Sequence, residues 1–186
     1  MPPGVAAPQG YGNSPALACA RLGRLPKLRA NRAAGGVAVA STGMADLRGR
    51  SIRTLAWLGD AEFEREVRYR IARRGDYPSD RLDAMKTRVV RAEAQAALLE
   101  GLLPGLAPPE LDLVRRGRNS TPPAAARGGR RRMQEYRAAT ALEALVATWC
   151  LGGDAGRQRM QAVLGPALDA AIDHAVEVES RRPRRG

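Results

Sequence analysis

The segment from Leu55 to Ile71 restricts the fold most strongly, because it has the period of an amphipathic helix. At about 100° per residue, five apolar side chains fall on one side of this helix: Ala56, Trp57, Phe63, Val67 and Ile71. Asp60 lies in the middle of that apolar side, and Glu64 follows one turn later. A helix of this kind buries its apolar side against other helices. The two carboxylates on that side therefore require an explanation.

The remainder of the sequence also predicts helices, and no strand pattern or internal repeat stands out. Aromatic residues make up only 4% of the 186 residues. A core built mostly from Ala, Leu and Val favours helices. Clusters of Gly and Pro divide the chain into helices predicted at 51–74, 79–88, 91–103, 108–116, 133–151, 154–160 and 162–178. The sequence therefore predicts an all-α helical bundle.

The two ends of the chain differ in composition from the part between them. Residues 1–45 carry Arg and Lys among Gly, Pro and Ala, and the first acidic residue is Asp46. This composition predicts a disordered basic extension. Three interpretations remain open: an organelle transit peptide, an over-extended start before Met44, or a tail that contacts RNA. The folded domain is expected at 46–179 and a basic tail at 180–186.

The net charge of +12 and the pI of about 11.1 indicate a polyanionic partner, and nucleic acid is the first candidate. The alternative is that the Arg content reflects a GC-rich genome. Cys19 and Cys150 show neither metal-site spacing nor a disulfide framework, which suggests a reducing compartment. A lone histidine, His174, argues against a ribonuclease that works through a pair of histidines. No apolar run approaches the roughly 18 residues of a membrane span.

A second carboxylate repeats the anomaly of the first helix. In the helix predicted at 133–151, Glu143 falls within the apolar arc. An ionised carboxylate removed from water is costly unless it is paired with a cation or binds a metal. Facing acids on bundle helices hold Mg²⁺ or Mn²⁺, which prefer oxygen ligands. The alternative is an ion pair with an arginine inside the bundle, for which four candidates are available: Arg53, Arg68, Arg70 and Arg88.

Four segments of the chain resemble, in order and spacing, the catalytic domain of the ribonuclease III family. They resemble most closely its short Mini-ribonuclease III branch, which lacks a double-stranded-RNA-binding domain. The segments are LAWLGDAEFE (55–64), VVRAEAQA (89–96), VRRGRN (114–119) and YRAATALEALVATWCLGG (136–153). The resemblance extends over about residues 52 to 175, which is nearly all of the predicted folded part.

The resemblance implies an all-α homodimer that cleaves double-stranded RNA with Mg²⁺, for which Mn²⁺ can substitute. Related bacterial and plastid enzymes trim precursors of large-subunit ribosomal RNA. The catalytic, metal-binding acids of the family fall on Asp60 and Glu143, and Glu64 matches an acidic position that supports them. Further acids of full-length ribonuclease III are replaced here by Arg53, Ala56 and Thr140, which leaves the number of metal ions open. The expected location is the cytoplasm of a bacterium, or the plastid stroma if residues 1–45 are a transit peptide.

Without a separate binding domain, the catalytic domain must hold the duplex through its phosphates and its A-form shape. The stretch 117–132 predicts a flexible loop, and in the family the corresponding loop projects onto the RNA. The expected RNA-binding residues are Arg115, Arg116, Arg118, Arg127, Arg130, Arg131 and Arg132. The alternatives are an ordinary solvated charge run, a catalytically inactive RNA-binding or ribosome-associated relative, and a helical adaptor.

Overall fold

A computed structural model describes residues 47–121 and 129–183, and within these ranges every regular element is helical. The all-α prediction is confirmed. The predictions for residues 1–45 and for Arg127 lie outside the described residues. The helices are α1 (Ile52–Arg74), α2 (Ser79–Val90), α3 (Ala92–Leu102), α4 (Pro108–Arg118), α5 (Arg130–Cys150), α6 (Gly153–Val163) and α7 (Gly165–Ser180), with a 3-10 turn at Leu103–Gly105. Among these described helices, none is long and apolar enough to cross a membrane.

The helix ends next to the basic stretch differ from the prediction. Helix α4 continues to Arg118, and α5 already begins at Arg130. The Arg residues of these turns do not contribute to an apolar period, so periodicity could not detect them as helical. The expected RNA-binding arginines at 130–132 therefore lie in the first turn of α5, and those at 115–118 lie in the last turn of α4.

Helix α5 forms the centre of the bundle and packs against α1, α3, α4 and α6. Its middle is buried nearly all around because many of its residues are small: Ala138, Ala139, Ala141, Ala144 and Ala147 are all buried. Small side chains let neighbouring helices approach closely, and the larger Leu142 and Leu145 fill the space between them. The polar groups that α5 carries are therefore enclosed by several helices at once.

Two glycines allow direct backbone contact with α5. A Cβ atom on Gly59 of α1 would lie 1.7 Å from the carbonyl oxygen of Glu143, which is far too close for two heavy atoms that are not bonded to each other. A Cβ atom on Gly117 of α4 would lie 2.6 Å from the Cα atom of Ala141. Since Gly59 immediately precedes Asp60, α1 and α5 approach each other closely where the two anomalous carboxylates are attached.

Glu110 joins three helices near the start of α4. Its carboxylate accepts a hydrogen bond from the backbone N–H of Ala107 at 2.7 Å and one from the indole N–H of Trp149 at 2.8 Å. Arg159 of α6 donates to both carboxylate oxygens, at 3.0 and 2.7 Å. The Arg159 hydrogen bonds are the main reason why the pKa of Glu110 falls to about 2. This network holds α4 and α6 against α5.

The assignment of faces on α1 needs one correction. Trp57, which the sequence places on the apolar side, is 78% exposed, and Asp60 is also exposed. At about 100° per residue, the buried positions of α1 centre on Phe63, so that Asp60 lies about 60° and Trp57 about 120° from the centre. The sequence prediction counted Trp57 among the buried residues of α1. This placed the centre of the predicted apolar side too close to Asp60. Asp60 instead stands at the edge of the buried side.

Candidate active site

Asp60 and Glu143 line the same open pocket, although 82 residues separate them in the chain. Helix α1 supplies Asp60, α5 supplies Glu143, and Ser120 and Thr121 line the pocket from the segment that follows α4. The other lining residues are Ser51, Ile52, Arg53, Ala56, Trp57, Ser120, Thr121, Tyr136 and Thr140. The structure therefore brings together the two carboxylates that the sequence analysis singled out. It also places Arg53, Ala56 and Thr140 in the same pocket.

The two carboxylates have different surroundings. Glu143 is half-buried, and its pKa is raised to about 8, first by burial and then by the negative charge of Asp60, while a hydrogen bond with Gln95 lowers it. Asp60 stands at the mouth of the pocket, where partial burial and then the charge of Glu64 raise its pKa. Both groups therefore disfavour the ionised form unless positive charge is supplied.

None of the four arginines proposed from the sequence pairs with Asp60 or Glu143, and three of them pair with other acids. Arg68 donates to Glu64 at 2.8 Å. Arg70 pairs with Glu66 and Asp169, at 2.9 and 2.6 Å. Arg88 pairs with Glu179 at 2.8 Å. Among the described residues, neither Asp60 nor Glu143 forms an ion pair with Lys or Arg, so an internal ion pair does not explain them.

Glu64 lies beside the pair without joining it in a larger cluster. Its carboxylate is held by Arg68 and lies 4.0 Å from the ammonium group of Lys86. Within the described ranges, no group of three or more His, Cys, Asp or Glu side chains is arranged to hold a metal ion. The pocket therefore offers two carboxylates as anchors, with Glu64 contributing charge from one helical turn away.

This donor set fits a hard divalent cation. The ligands are oxygen atoms only, and the two acids repel one another without a neutralising partner in the described part of the chain. Mg²⁺ is commonly held by one or two carboxylates and keeps several waters in its remaining positions. A bound cation would also favour the ionised form of Glu143, which burial and Asp60 oppose.

Gln95 is a site residue that the sequence analysis missed. It lies on α3 and is 1% exposed. Its amide donates to the carbonyl oxygen of Val90 at 3.0 Å and lowers the pKa of Glu143. The signal was present, because Gln95 shares one face of its helix with Leu99 and Leu102, at helical spacing. It is a polar residue on an apolar face, as Glu143 is on α5.

The expected RNA-binding arginines that the structure describes lie at the ends of α4 and α5. Some of them form ion pairs with acids, and others are exposed. Arg115 pairs with Asp112 at 2.9 Å, and Arg131 pairs with Glu135 at 2.8 Å. Arg118 pairs with Glu100 at 2.6 Å, and its Nε atom is buried. Arg116, Arg130 and Arg132 are exposed. Arg127 lies outside the described residues.

Comparison with known proteins agrees with this architecture. The model of the Ribonuclease III domain family matches residues 53–154. The chain is 43% identical over 116 residues to the Mini-ribonuclease 3 of Symbiobacterium thermophilum, covering 62% of this chain and 86% of that one. It is 44% identical over 116 residues to the Mini-ribonuclease 3 of a Synechococcus species, covering 60% and 76%. A crystal structure of a protein from Fusobacterium nucleatum superposes with a TM-score of 0.58 at 25% identity, covering 69% of this chain and 96% of that one.

Proposed function

Since the chain belongs to the ribonuclease III family, as an endoribonuclease of the Mini-ribonuclease III type, we propose that Asp60 and Glu143 hold the divalent cation with which it cleaves double-stranded RNA. One observation carries this proposal. Two carboxylates on different helices line one pocket, and neither is paired with a cation of the described chain.

The chemistry follows from the side chains of the pocket. Asp60 and Glu143 would hold Mg²⁺, which would polarise the scissile phosphate and lower the pKa of the attacking water. The negative charges of Asp60 and Glu143 would hold the divalent cation between α1 and α5. Glu64 adds negative charge beside Asp60, and Arg68 holds Glu64 in place. The expected products carry a 5′-phosphate and a 3′-hydroxyl.

We propose a precursor of large-subunit ribosomal RNA as the substrate and Mg²⁺ as the cofactor. The test compares a duplex from such a precursor with a duplex of equal length and scrambled sequence. The full chain is expected to cut the precursor duplex faster, to stop on addition of EDTA, and to recover with Mg²⁺ or Mn²⁺. Equal cutting of both duplexes would rule out the ribosomal substrate. Binding without cutting under any divalent cation would favour the inactive RNA-binding alternative.

The basic ends of α4 and α5 are proposed to contact RNA phosphates. Each phosphate contact that is lost lowers the dependence of log affinity on log salt concentration by about one unit. Arg116→Ala and Arg132→Ala are therefore expected to weaken duplex binding for all sequences and to flatten its salt dependence. Arg157→Ala is the matched control, because Arg157 pairs with Asp154 on α6, outside the proposed set. An unchanged slope in both test variants would contradict phosphate contact at these helix ends.

A homodimer is proposed because a duplex has two strands and each chain offers one pocket. Trp57 is 78% exposed and lines the pocket that contains Asp60, and tryptophan is enriched at the cores of protein–protein interfaces. Trp57→Glu is expected to convert a dimer into a monomer in light scattering. Tyr69→Glu, at the 58% exposed Tyr69 on another side of α1, should leave the dimer intact. A monomeric wild type at micromolar concentration would overturn the proposal.

A further inference from the structure

We propose that Arg53 is a catalytic residue whose guanidinium group binds a phosphate of the RNA strand that is cut. This inference rests on the proposed function, since it takes the pocket of Asp60 and Glu143 as the place of cleavage. Of the described arginines that the sequence predicts to bind RNA, none lines this pocket. Arg53 does line it. Its role follows from its position, from its charge and from the helix turn that carries it.

Arg53 lies on the same side of α1 as Asp60. Seven positions separate the two residues, which at about 100° per residue is close to two full turns, or about 10 Å along the helix axis. Ala56 lies between them, lines the same pocket and is buried. Because alanine is small, it does not close the open cavity of about 590 Å³ between the guanidinium group and the carboxylate. The pocket therefore leaves room for a substrate group between Arg53 and Asp60.

The guanidinium group of Arg53 makes no hydrogen bond or ion pair with any residue that the structure describes. Other arginines of α1 are paired: Arg70 binds the carboxylate of Asp169 at 2.6 Å, and Arg74 binds the same carboxylate at 2.9 Å. Arg53 is exposed and shares its pocket with two acids, yet it pairs with neither of them. A guanidinium group carries five N–H donors in a planar fork. These donors remain available to a ligand.

The stability of α1 does not account for Arg53. Ser51 caps the helix, since its hydroxyl oxygen accepts a hydrogen bond from the backbone N–H of Thr54 at 3.2 Å. Arg53 is the second residue of α1, where a positive charge opposes the helix macrodipole, and no acidic residue of this first turn offsets it. Its side chain is exposed and adds nothing to the core. The cap fixes the backbone of this turn and leaves the Arg53 side chain at the pocket.

A phosphate group is the ligand that best fits these observations. A guanidinium group can donate two parallel hydrogen bonds to two phosphate oxygens, which fixes orientation as well as position. The pocket otherwise presents the carboxylates of Asp60 and Glu143. Like charges repel, so a positive side chain beside these acids makes the approach of a phosphodiester less unfavourable. A strand held both by Arg53 and at the two acids is fixed at two points, which keeps the bond to be cut in the reactive geometry.

The experiment compares the full chain with Arg53→Ala and Arg53→Lys in single-turnover cleavage of a double-stranded RNA at saturating enzyme and Mg²⁺. Arg53→Ala is expected to cut about 10²-fold more slowly and to weaken duplex binding by a smaller factor. Arg53→Lys keeps the charge without the planar fork, so its rate should lie between the two. Arg73→Ala is the matched control, because Arg73 is an exposed arginine of the same helix and lies 5.9 Å from the ring centre of Tyr69. It should cut at the wild-type rate.

Two further measurements separate phosphate binding from other roles of Arg53. The melting temperature of Arg53→Ala should equal or exceed that of the wild type, because the first turn of α1 loses a positive charge. The Kd for Mn²⁺ of the chain without RNA, measured by electron paramagnetic resonance, should stay at the wild-type value. Tighter Mn²⁺ binding by Arg53→Ala would show that Arg53 neutralises Asp60 and Glu143 in the free chain, and this result would overturn the inference.

The outcomes also separate this inference from the function on which it rests. Asp60→Asn and Glu143→Gln are assayed alongside, and wild-type cleavage by both would overturn the proposed active site itself. Loss of cleavage in those two variants with a wild-type rate in Arg53→Ala would overturn the role of Arg53 alone. Equal losses of binding and of the saturated rate in Arg53→Ala would do the same. If Arg53→Ala does not fold, Arg53→Gln replaces it and must show the loss of rate for the inference to stand.

Discussion

Replacing Asp60 with Asn or Glu143 with Gln is expected to reduce cleavage of double-stranded RNA by about 10³-fold or more while duplex binding is retained. Each substitution removes the charge of one proposed cation anchor and preserves its shape. A bound divalent cation contributes several kcal/mol of transition-state stabilisation, and each 1.36 kcal/mol corresponds to tenfold in rate. Single-turnover cleavage in Mg²⁺ measures the loss. Binding of a labelled duplex, measured separately, shows that the surface for RNA is intact.

The control for these variants is Glu62→Gln, which lies on the same helix and pairs with Arg65 at 3.1 Å. It should cut at nearly the wild-type rate. The melting temperatures of the two test variants without metal are not expected to fall, because a neutral amide avoids the ionised form that burial and a neighbouring acid disfavour at both positions. Retention of more than about a tenth of wild-type activity in either variant would contradict its assignment as an anchor of the cation.

Gly59→Ala is expected to have the largest effect on the fold. The added Cβ atom would stand 1.7 Å from the carbonyl oxygen of Glu143, so that α1 and α5 must separate. Overpacking of a well-packed core typically costs 1 to 3 kcal/mol, occasionally more, and a backbone oxygen inside the central helix cannot turn aside. We expect a loss of about 3 kcal/mol or more, measured as the free energy of unfolding in urea. The displaced helix also carries Asp60, so activity should fall in any fraction that still folds.

The matched control for this substitution is Gly101→Ala. Gly101 lies near the end of α3, and a Cβ atom there would meet no atom within 4 Å. Alanine is preferred over glycine in a helix by about 1 kcal/mol, so this variant should be as stable as the wild type or more stable. If Gly59→Ala unfolds at the same urea concentration as Gly101→Ala, the close contact between α1 and α5 is wrong.

Local properties of the chain were predicted well because they depend on neighbouring residues only. Helical period, Gly and Pro breaks and low aromatic content indicated the all-α bundle, and the ordered segments around Asp60 and Glu143 pointed to the family. The same period located both acids close to the buried side of their helices. It could not extend α4 to Arg118 or begin α5 at Arg130, because polar helix ends carry no apolar signal.

The sequence by itself determined the helical architecture and singled out the pair of acids, since both follow from residue type and spacing along one helix. The family followed from the resemblance of four ordered segments to its known members. Only the tertiary structure decided which side of α1 is buried, and it placed Trp57 in solvent. It also decided that Arg68 donates to Glu64 and that Asp60 and Glu143 line one pocket. The physical reason is that burial, ion pairing and pKa depend on which helices meet in space. The effect of Gln95 on the pKa of Glu143 likewise exists only because α3 packs on α5.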